Sequence, residues 1–498
     1  MPSRPVLIRI HPDDNVAVAV EDIEKGADLH LEEVHIKARN PIPRGHKVAL
    51  AAIAAHRPVV KYGYPIGEAT KAIKAGEHVH LHNLRTRLDG LLEYTWQPST
   101  VEKRTEKPAT FEGYLRPDGQ VGIRNEIWII PTVGCVNKVC ERLAGRSMRT
   151  LVSGPLEGVY YFQHPYGCSQ LGDDMATTQK LLAGLVRHPN AAGVLIVGLG
   201  CENNNLDVFR QFMGDIDPRR VRAFSAQQVE DELERGLALL EELADYARMF
   251  RRTTQPASKL KIGLKCGGSD GFSGITANPL LGAISDRFVA MGGTTLLTEV
   301  PEMFGAETIL MNRCADRATF EKCVRLINDF KSYFLRHNQP IYENPAPGNK
   351  DGGITTLEDK SLGCTQKGGT SAVTDVLEYG QAATRAGLNL VQAPGNDMVS
   401  VSALTAAGAH MVLFTTGRGT PLGGPVPTVK LSTTSELARL KKSWIDFDAG
   451  VLLDGKPMAE LASELLAFCL DIASGRRRTR NEHNDFREIA IFKDGVTV

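Results

Sequence analysis

Three apolar runs in the first half of the chain break in the same way. Glu126-Ile-Trp-Ile-Ile-Pro131 leads to Val133-Gly-Cys135, and Ala192-Gly-Val-Leu-Ile-Val197 leads to Gly198-Leu-Gly-Cys201-Glu-Asn-Asn. The third case is His164-Pro-Tyr-Gly-Cys168-Ser-Gln-Leu-Gly-Asp-Asp174. Each reads as strand, glycine, cysteine, polar turn and helix, and parallel neighbours of this kind gather their carboxyl ends at one sheet edge. Gln227 to Met249 has leucines or valine three to four apart, which predicts an amphipathic helix bridging two domains. Beyond it, apolar runs at Leu260–Leu264, Gly292–Thr298, Leu388–Val391 and His410–Phe414 alternate with helical periods, the pattern of a mostly parallel sheet covered by helices. Residues 1–87 differ: Val16–Val20 and His35–Ala38 alternate between glycine and proline turns, which predicts a small β-rich domain.

The resulting division is a β-rich domain at 1–87, a polar, proline-flanked linker at 88–110, an α/β domain at 111–230, a bridging helix at 231–258 and a larger α/β domain at 259–498. Inside the last of these, Glu343-Asn-Pro-Ala-Pro-Gly-Asn-Lys-Asp-Gly-Gly353 has no regular period, and long loops within compact domains are often functional. Pro117-Asp-Gly119 predicts a hairpin turn.

Composition narrows the functional class. The 498 residues carry 58 lysines plus arginines against 58 aspartates plus glutamates, so no global field favours nucleic acid or an anionic membrane. A small-molecule ligand is expected. The first ten residues lack the apolar core of a signal peptide, and no apolar run approaches a membrane span, so a cytoplasmic protein is expected. Nine cysteines in such a chain are read as thiols or ligands, not as a disulfide framework.

Several familiar motifs fail. Gly198-Leu-Gly-Cys-Glu-Asn203 lacks the third glycine of a dinucleotide fingerprint, so neither NAD nor flavin is expected, and no phosphate-binding loop or paired Cys-x-x-Cys occurs. Three groups of candidates remain. Cys135, Cys168 and Cys201 form a candidate thiolate site for iron, as Fe2+ or as an iron–sulfur cluster, with small buried cysteines the competing reading. Polar strand ends elsewhere (Cys266, Ser269, Asp270, Glu299, Glu302, Cys364, Asn396, Asp397 and Arg418) suit an anion or a hard cation such as Mn2+. His78, His80 and His82, spaced by two, project from one face if the segment is a strand, and His46, Lys47 and Lys61 add basic groups beside glycines.

The motifs around the three cysteines, together with Cys266-Gly-Gly-Ser-Asp-Gly, Thr298-Glu-Val-Pro-Glu-Met-Phe-Gly-Ala-Glu and Gly417-Arg-Gly-Thr-Pro, resemble the altronate and galactarate dehydratase family over almost the whole chain. The resemblance implies an N-terminal β-clip domain of the SAF type, a middle domain making homodimer contacts, and a C-terminal Rossmann-like domain. It also implies metal-dependent loss of water from a sugar acid, D-altronate foremost, to give 2-keto-3-deoxy-D-gluconate. Galactarate is the alternative substrate, and a non-catalytic sugar-acid sensor the alternative class.

Such a dehydration needs a base for the proton α to the carboxylate and help for a poor leaving group. On that chemistry His46, Lys47, His80 and His82 are the candidate bases, carried on the N-terminal domain as a lid. Lys61, Arg124, Ser269, Asp270, Asn396 and Arg418 are the candidate substrate ligands, and Cys135, Cys168 and Cys201 the candidate metal ligands. The same reaction on oxygen ligands would use Asp270, Glu299 and Glu302.

Overall fold

The computed structural model describes residues 6–102 and 104–495, so the first residues of the segment read for a signal peptide lie outside it. Residues 7–85 fold into short antiparallel strands. One sheet orders Leu7–Ile8, Val16–Ala19, Lys47–Ala49 and His78–Val79, and a second orders Pro58–Lys61, Tyr64–Ala69 and Leu84–Arg85. Alternation along Val16–Ala19 sends Val16 into one small core with Val59 and Ile66, and Ala17 and Ala19 into another with Ile23 and Leu29. The histidine segment is a strand only at His78–Val79. Asn83 ends it, its side chain donating to the carbonyl of His78 at 2.9 Å and accepting from the backbone of His80 at 3.0 Å.

The middle domain carries the repeated units. Its strands are β1 (Glu126–Pro131), β2 (Gly158–Tyr161), β3 (Ala191–Gly198) and β4 (Val221–Ser225), parallel in the order β2-β1-β3-β4. Helix α1 (Glu232–Ala247), capped by Asp231, corrects the reading of a bridge. Its Leu239, Leu240, Leu243 and Ala244 share one core with Ile127, Ile129 and Leu195, so burial of its apolar face assigns it to the middle sheet. The link onward is instead the antiparallel pair Thr110–Leu115 and Arg252–Pro256, and the expected hairpin closes at Gly119 with φ +80°.

The C-terminal domain is built on a seven-stranded parallel sheet. Its strands are β5 (Lys261–Cys266), β6 (Thr294–Leu297), β7 (Val373–Leu377), β8 (Gly387–Val391), β9 (Met411–Thr416), β10 (Thr428–Ser432) and β11 (Phe447–Asp448), ordered β7-β8-β6-β5-β9-β10-β11. The strands are almost wholly buried because helices cover both faces. From β5 the chain winds outward in both directions. The topological switch therefore falls between β5 and β9, where the loops beginning at Gly267 and Gly417 meet.

The polar segment after residue 87 is not free. Tyr94 and Trp96 pack against the C-terminal core, the Tyr94 hydroxyl donates to Glu307, and the backbone of Ser99 donates to the carbonyl of Asn312 at 2.8 Å. No helix among the described residues is long and apolar enough to cross a membrane.

Candidate functional site

At the carboxyl edge of the seven-stranded sheet, β5 ends on Lys265 and Cys266, the turn after β6 supplies Glu299 and Glu302, and helix α2 (Leu357–Cys364) supplies Lys360 and Cys364. Lys367 follows one turn later. All of these side chains are buried. Lys265 pairs with Glu299 and, at 2.9 Å, with Asp397; Lys367 lies 2.7 Å from both Glu299 and the Cys266 sulfur; Lys360 lies 2.9 Å from Glu302. The two sulfurs are 3.3 Å apart, and Glu302 Oε2 is 3.5 Å from Cys266 Sγ and 3.1 Å from Cys364 Sγ.

Burial opposes ionisation of Glu302 and of the three lysines, and the counter-charges overcome it. Glu302 is held below the usual carboxylate range by Lys360, Lys265 and Lys367, while Glu299 and Asp397 carry Lys265 above the ordinary lysine range. The Cys364 thiol is pushed up by its hydrogen bond to Cys266 and by burial. Three ammonium groups thus face three carboxylates around two thiols. Glu299 takes φ +71°, the left-handed conformation that aims its carboxylate between two lysines.

The cluster opens toward the switch point. Asp397 is partly exposed, and it and Arg418 flank the Gly267–Gly268 turn, where a Cβ would meet the Asp397 carboxylate at Gly267 and the Arg418 stem at Gly268. Asn396 and Arg418 are exposed at this rim. Asn396 caps helix α3 (Asp397–Ala406) by accepting from Val399 N at 3.2 Å.

The N-terminal domain docks beside this edge. Lys47 and Lys61 are both buried and grip Asp359 at 2.8 and 3.0 Å, with Lys47 also donating to the carbonyl of Gly353 at 2.7 Å. Burial works against both ammoniums, and one carboxylate serves the two. Lys61 stays above the ordinary range, while Lys47 is pushed down to about 8. His46 Nε2 meets the carbonyl of Asp351 at 3.2 Å. Residues 344–353 are thereby held between the two domains, with Asn349 donating to the carbonyl of Ser269 at 2.8 Å and accepting from Lys360.

The candidates from the sequence divide accordingly. Lys47 and Lys61 join the domains through Asp359, and as an ammonium paired with that carboxylate Lys47 has no lone pair with which to take a proton. His46 and His80 sit together with His78, and His82 lies exposed in the following turn. Asp270 is partly buried and accepts from Phe272 N, Ser273 Oγ and Thr433 Oγ1, so its carboxylate shapes the loop; desolvation raises its pKa. Ser269 lies beside it in a small pocket lined by Lys61, Lys360 and Cys364. Arg124 belongs elsewhere: its guanidinium is 1% exposed and is bonded to Glu482 and to the carbonyls of Ile123 and Ile472, so it joins the middle and C-terminal domains.

Cys135, Cys168 and Cys201 do lie on three adjoining loops at one edge of the middle sheet. The loops are tied by hydrogen bonds from Gly134 N to the carbonyl of Tyr166, from Asn204 N to that of Gly167 and from Ser169 N to Asn203. All three thiols are exposed. Among the described residues their sulfurs do not converge within the reach of a single ion; the groups that do are Cys266–Glu302–Cys364 and His46–His78–His80. The sequence reading passed over Lys265, Lys360 and Lys367. Lys265 was legible as a charge placed in an otherwise apolar buried strand, whereas nothing local marks the other two.

Comparison with known proteins covers every domain. Residues 5–87 match the model of the altronate/galactarate dehydratase SAF domain, 113–248 that of the D-galactarate dehydratase/altronate hydrolase second domain, and 257–497 that of the D-galactarate/altronate dehydratase C-terminal domain. The chain is 55% identical to the altronate dehydratase of Escherichia coli (strain K12) over 493 residues and 53% identical to that of Bacillus subtilis (strain 168) over 494, each match covering 99% of both chains. It is 32% identical to the galactarate dehydratase (L-threo-forming) of E. coli (strain K12) over 507 aligned positions, covering 97% of this chain and 96% of that one.

Proposed function

The chain belongs to the D-galactarate/altronate dehydratase family, and on that footing we propose that it is a sugar-acid hydro-lyase acting on D-altronate to give 2-keto-3-deoxy-D-gluconate. The observation that carries the choice of substrate is the 55% and 53% identity to two altronate dehydratases, against 32% to the galactarate enzyme. The observation that carries the choice of site is the charge-balanced lysine, carboxylate and thiol cluster opening at the switch point.

In this reaction the C2–H and C3–O bonds break and a C2=C3 enol forms, which returns to the 2-keto acid by protonation at C3. Arg418 at the rim receives the substrate carboxylate. Asp397, the most accessible carboxylate of the cluster, takes the C2 proton. Lys265 lies behind it, and its buried, fixed charge stabilises the enediolate as negative charge moves onto the carboxylate; loss of one preorganised group of this kind typically costs about 100-fold or more. The hydroxide leaves with a proton from the ammonium groups of Lys360 or Lys367, each already hydrogen-bonded into the cluster.

The family points to a metal, and one donor group at this edge fits it. Cys266, Glu302 and Cys364 offer two sulfurs and a carboxylate oxygen within the reach of one ion, a set that suits Fe2+ better than Mg2+ or Ca2+. The neighbouring ammonium groups would offset the charge the two thiols take on in ligating an ion. Bound there, an iron ion supplies Lewis acidity toward the substrate's oxygens. A homodimer through the middle domain and a cytoplasmic location complete the proposal.

The test is an assay of anaerobically reduced, Fe2+-supplemented protein against D-altronate, galactarate and other sugar acids, reading 2-keto product. Turnover of D-altronate at least about 10-fold above galactarate is expected, the scale of discrimination one substituent supports. Absence of 2-keto product from D-altronate overturns the assignment.

A further inference from the structure

A second cluster of ligand-forming side chains lies in the N-terminal domain, outside the pocket described above. His46 comes from the turn before Lys47–Ala49, and His78 and His80 from the adjoining strand and its end; Val48 pairs directly with His78. The ring centroids of His46 lie 5.1 Å from His78 and 4.7 Å from His80, and those of His78 and His80 are 5.6 Å apart and nearly parallel. One nitrogen from each ring falls within 4.8 Å of the other two.

The hydrogen bonding leaves lone pairs where an ion would need them. The carbonyl of Asp351 can only accept, so His46 carries its hydrogen on Nε2 and turns a bare Nδ1 toward His78 Nε2, 3.0 Å away. A backbone carbonyl orienting one nitrogen while the other faces a metal is the usual outer-shell arrangement of ligating histidines. His80 Nδ1 is buried with no hydrogen-bond partner. Neutral imidazole, the form a histidine of ordinary pKa mostly takes at physiological pH, is the form that binds metals. A hydrogen bond from His78 Nε2 to His46 Nδ1 accounts for two of the rings, but the buried, unpaired Nδ1 of His80 beside them has no such partner, and a shared cation supplies one.

We propose that His46, His78 and His80 form a second divalent-metal site, a three-imidazole site for an ion such as Zn2+ or Fe2+, at the junction of the N-terminal domain with residues 344–353. It is chemically distinct from Cys266–Glu302–Cys364, having nitrogen donors only. By fixing His46 it also fixes the carbonyl of Asp351. That carbonyl precedes Gly352 and Gly353, and the carbonyl of Gly352 accepts from Gly271 N at 2.7 Å. The site therefore reaches the loop of Ser269, Asp270 and Gly271 through one turn of chain, although metal binding itself does not depend on the assignment of the reaction.

The experiment uses the full chain stripped by a chelator and titrated with Co2+, read by visible and near-ultraviolet absorption and by stoichiometry. Two equivalents are expected, one with a sulfur-to-cobalt charge-transfer band and one without. His80→Ala and, separately, His78→Ala, both residues being partly exposed, should each weaken the band-free equivalent by at least about 100-fold. Cys364→Ser should remove only the equivalent that carries the band. Retention of the band-free equivalent in a folded His78→Ala or His80→Ala protein overturns the three-imidazole site. So does a wild-type protein that binds only one equivalent, with the sulfur band. Neither result touches the dehydration assay, whose failure would be seen as missing 2-keto product.

Discussion

At the scale of single residues, chemistry follows from what each side chain is bonded to more than from what it is. Cys364 and Cys168 are both thiols beside glycines at α/β edges. Cys364, however, is buried against a second sulfur and Glu302, while Cys168 is exposed, with Ser169 Oγ 3.9 Å from its sulfur. Cys364→Ser is therefore expected to lower iron content and kcat by about 100-fold or more, the cost of losing a metal ligand, whereas Cys168→Ser keeps most of both. Elemental analysis with acid-labile sulfide, run on the two variants side by side, decides it. Equal losses in both would restore the three exposed thiols as the iron site.

At the scale of elements, docking of the N-terminal strands on helix α2 hangs on one carboxylate. Asp359 accepts from Lys47, Lys61 and the backbone and hydroxyl of Thr355, and its pKa lies below the ordinary range because the two lysines outweigh its burial. Asp359→Asn leaves two buried ammonium groups without a counter-charge. Breaking a buried pair from one side typically costs about 3–5 kcal/mol, so a lower urea midpoint and early proteolysis at the N-terminal domain are expected. Replacing both lysines by methionine in the Asp359→Asn background should recover part of the loss, because the unpaired charges are then gone. The segment between residues 88 and 110, which polarity marks as a linker, is held at Tyr94, Trp96 and Ser99 instead. Swinging of the N-terminal domain as a lid would have to release those contacts as well as Asp359.

At the scale of the whole molecule, the middle and C-terminal domains are joined by a buried ion pair that has a predictable dependence on pH. Burial works against ionisation of Glu482, but Arg124 bonds it through two nitrogens and brings its pKa down to about 2. A carboxylate whose folded pKa is depressed stabilises the fold above its unfolded pKa, near 4.5, and that stability is lost as pH falls through 2. A shift of this size corresponds to roughly 3 kcal/mol. Glu482→Gln should abolish this portion of the acid dependence, so that unfolding free energies of wild type and variant converge between pH 4.5 and 2. Parallel curves over that interval would show that the pair does not set acid stability.

The sequence by itself determined much of the fold. Its apolar runs ending in glycine and cysteine became parallel strands, its period-two segments became the small antiparallel domain, and the family was readable in its motifs, because strand and turn signals are local and repeat along the chain. What only the tertiary structure decided was the company each polar group keeps. Arg124 reads locally as a free carboxylate fork, and it is taken by Glu482, 358 positions away. The exposed thiols of Cys135, Cys168 and Cys201 share a sheet edge, yet the sulfurs that meet are Cys266 and Cys364, 98 positions apart. Lys360 and Lys367 look like ordinary solvated lysines until the fold buries them against Glu302 and Glu299. Charge pairing acts over ångströms in space, and chain order carries no record of which distant group arrives there.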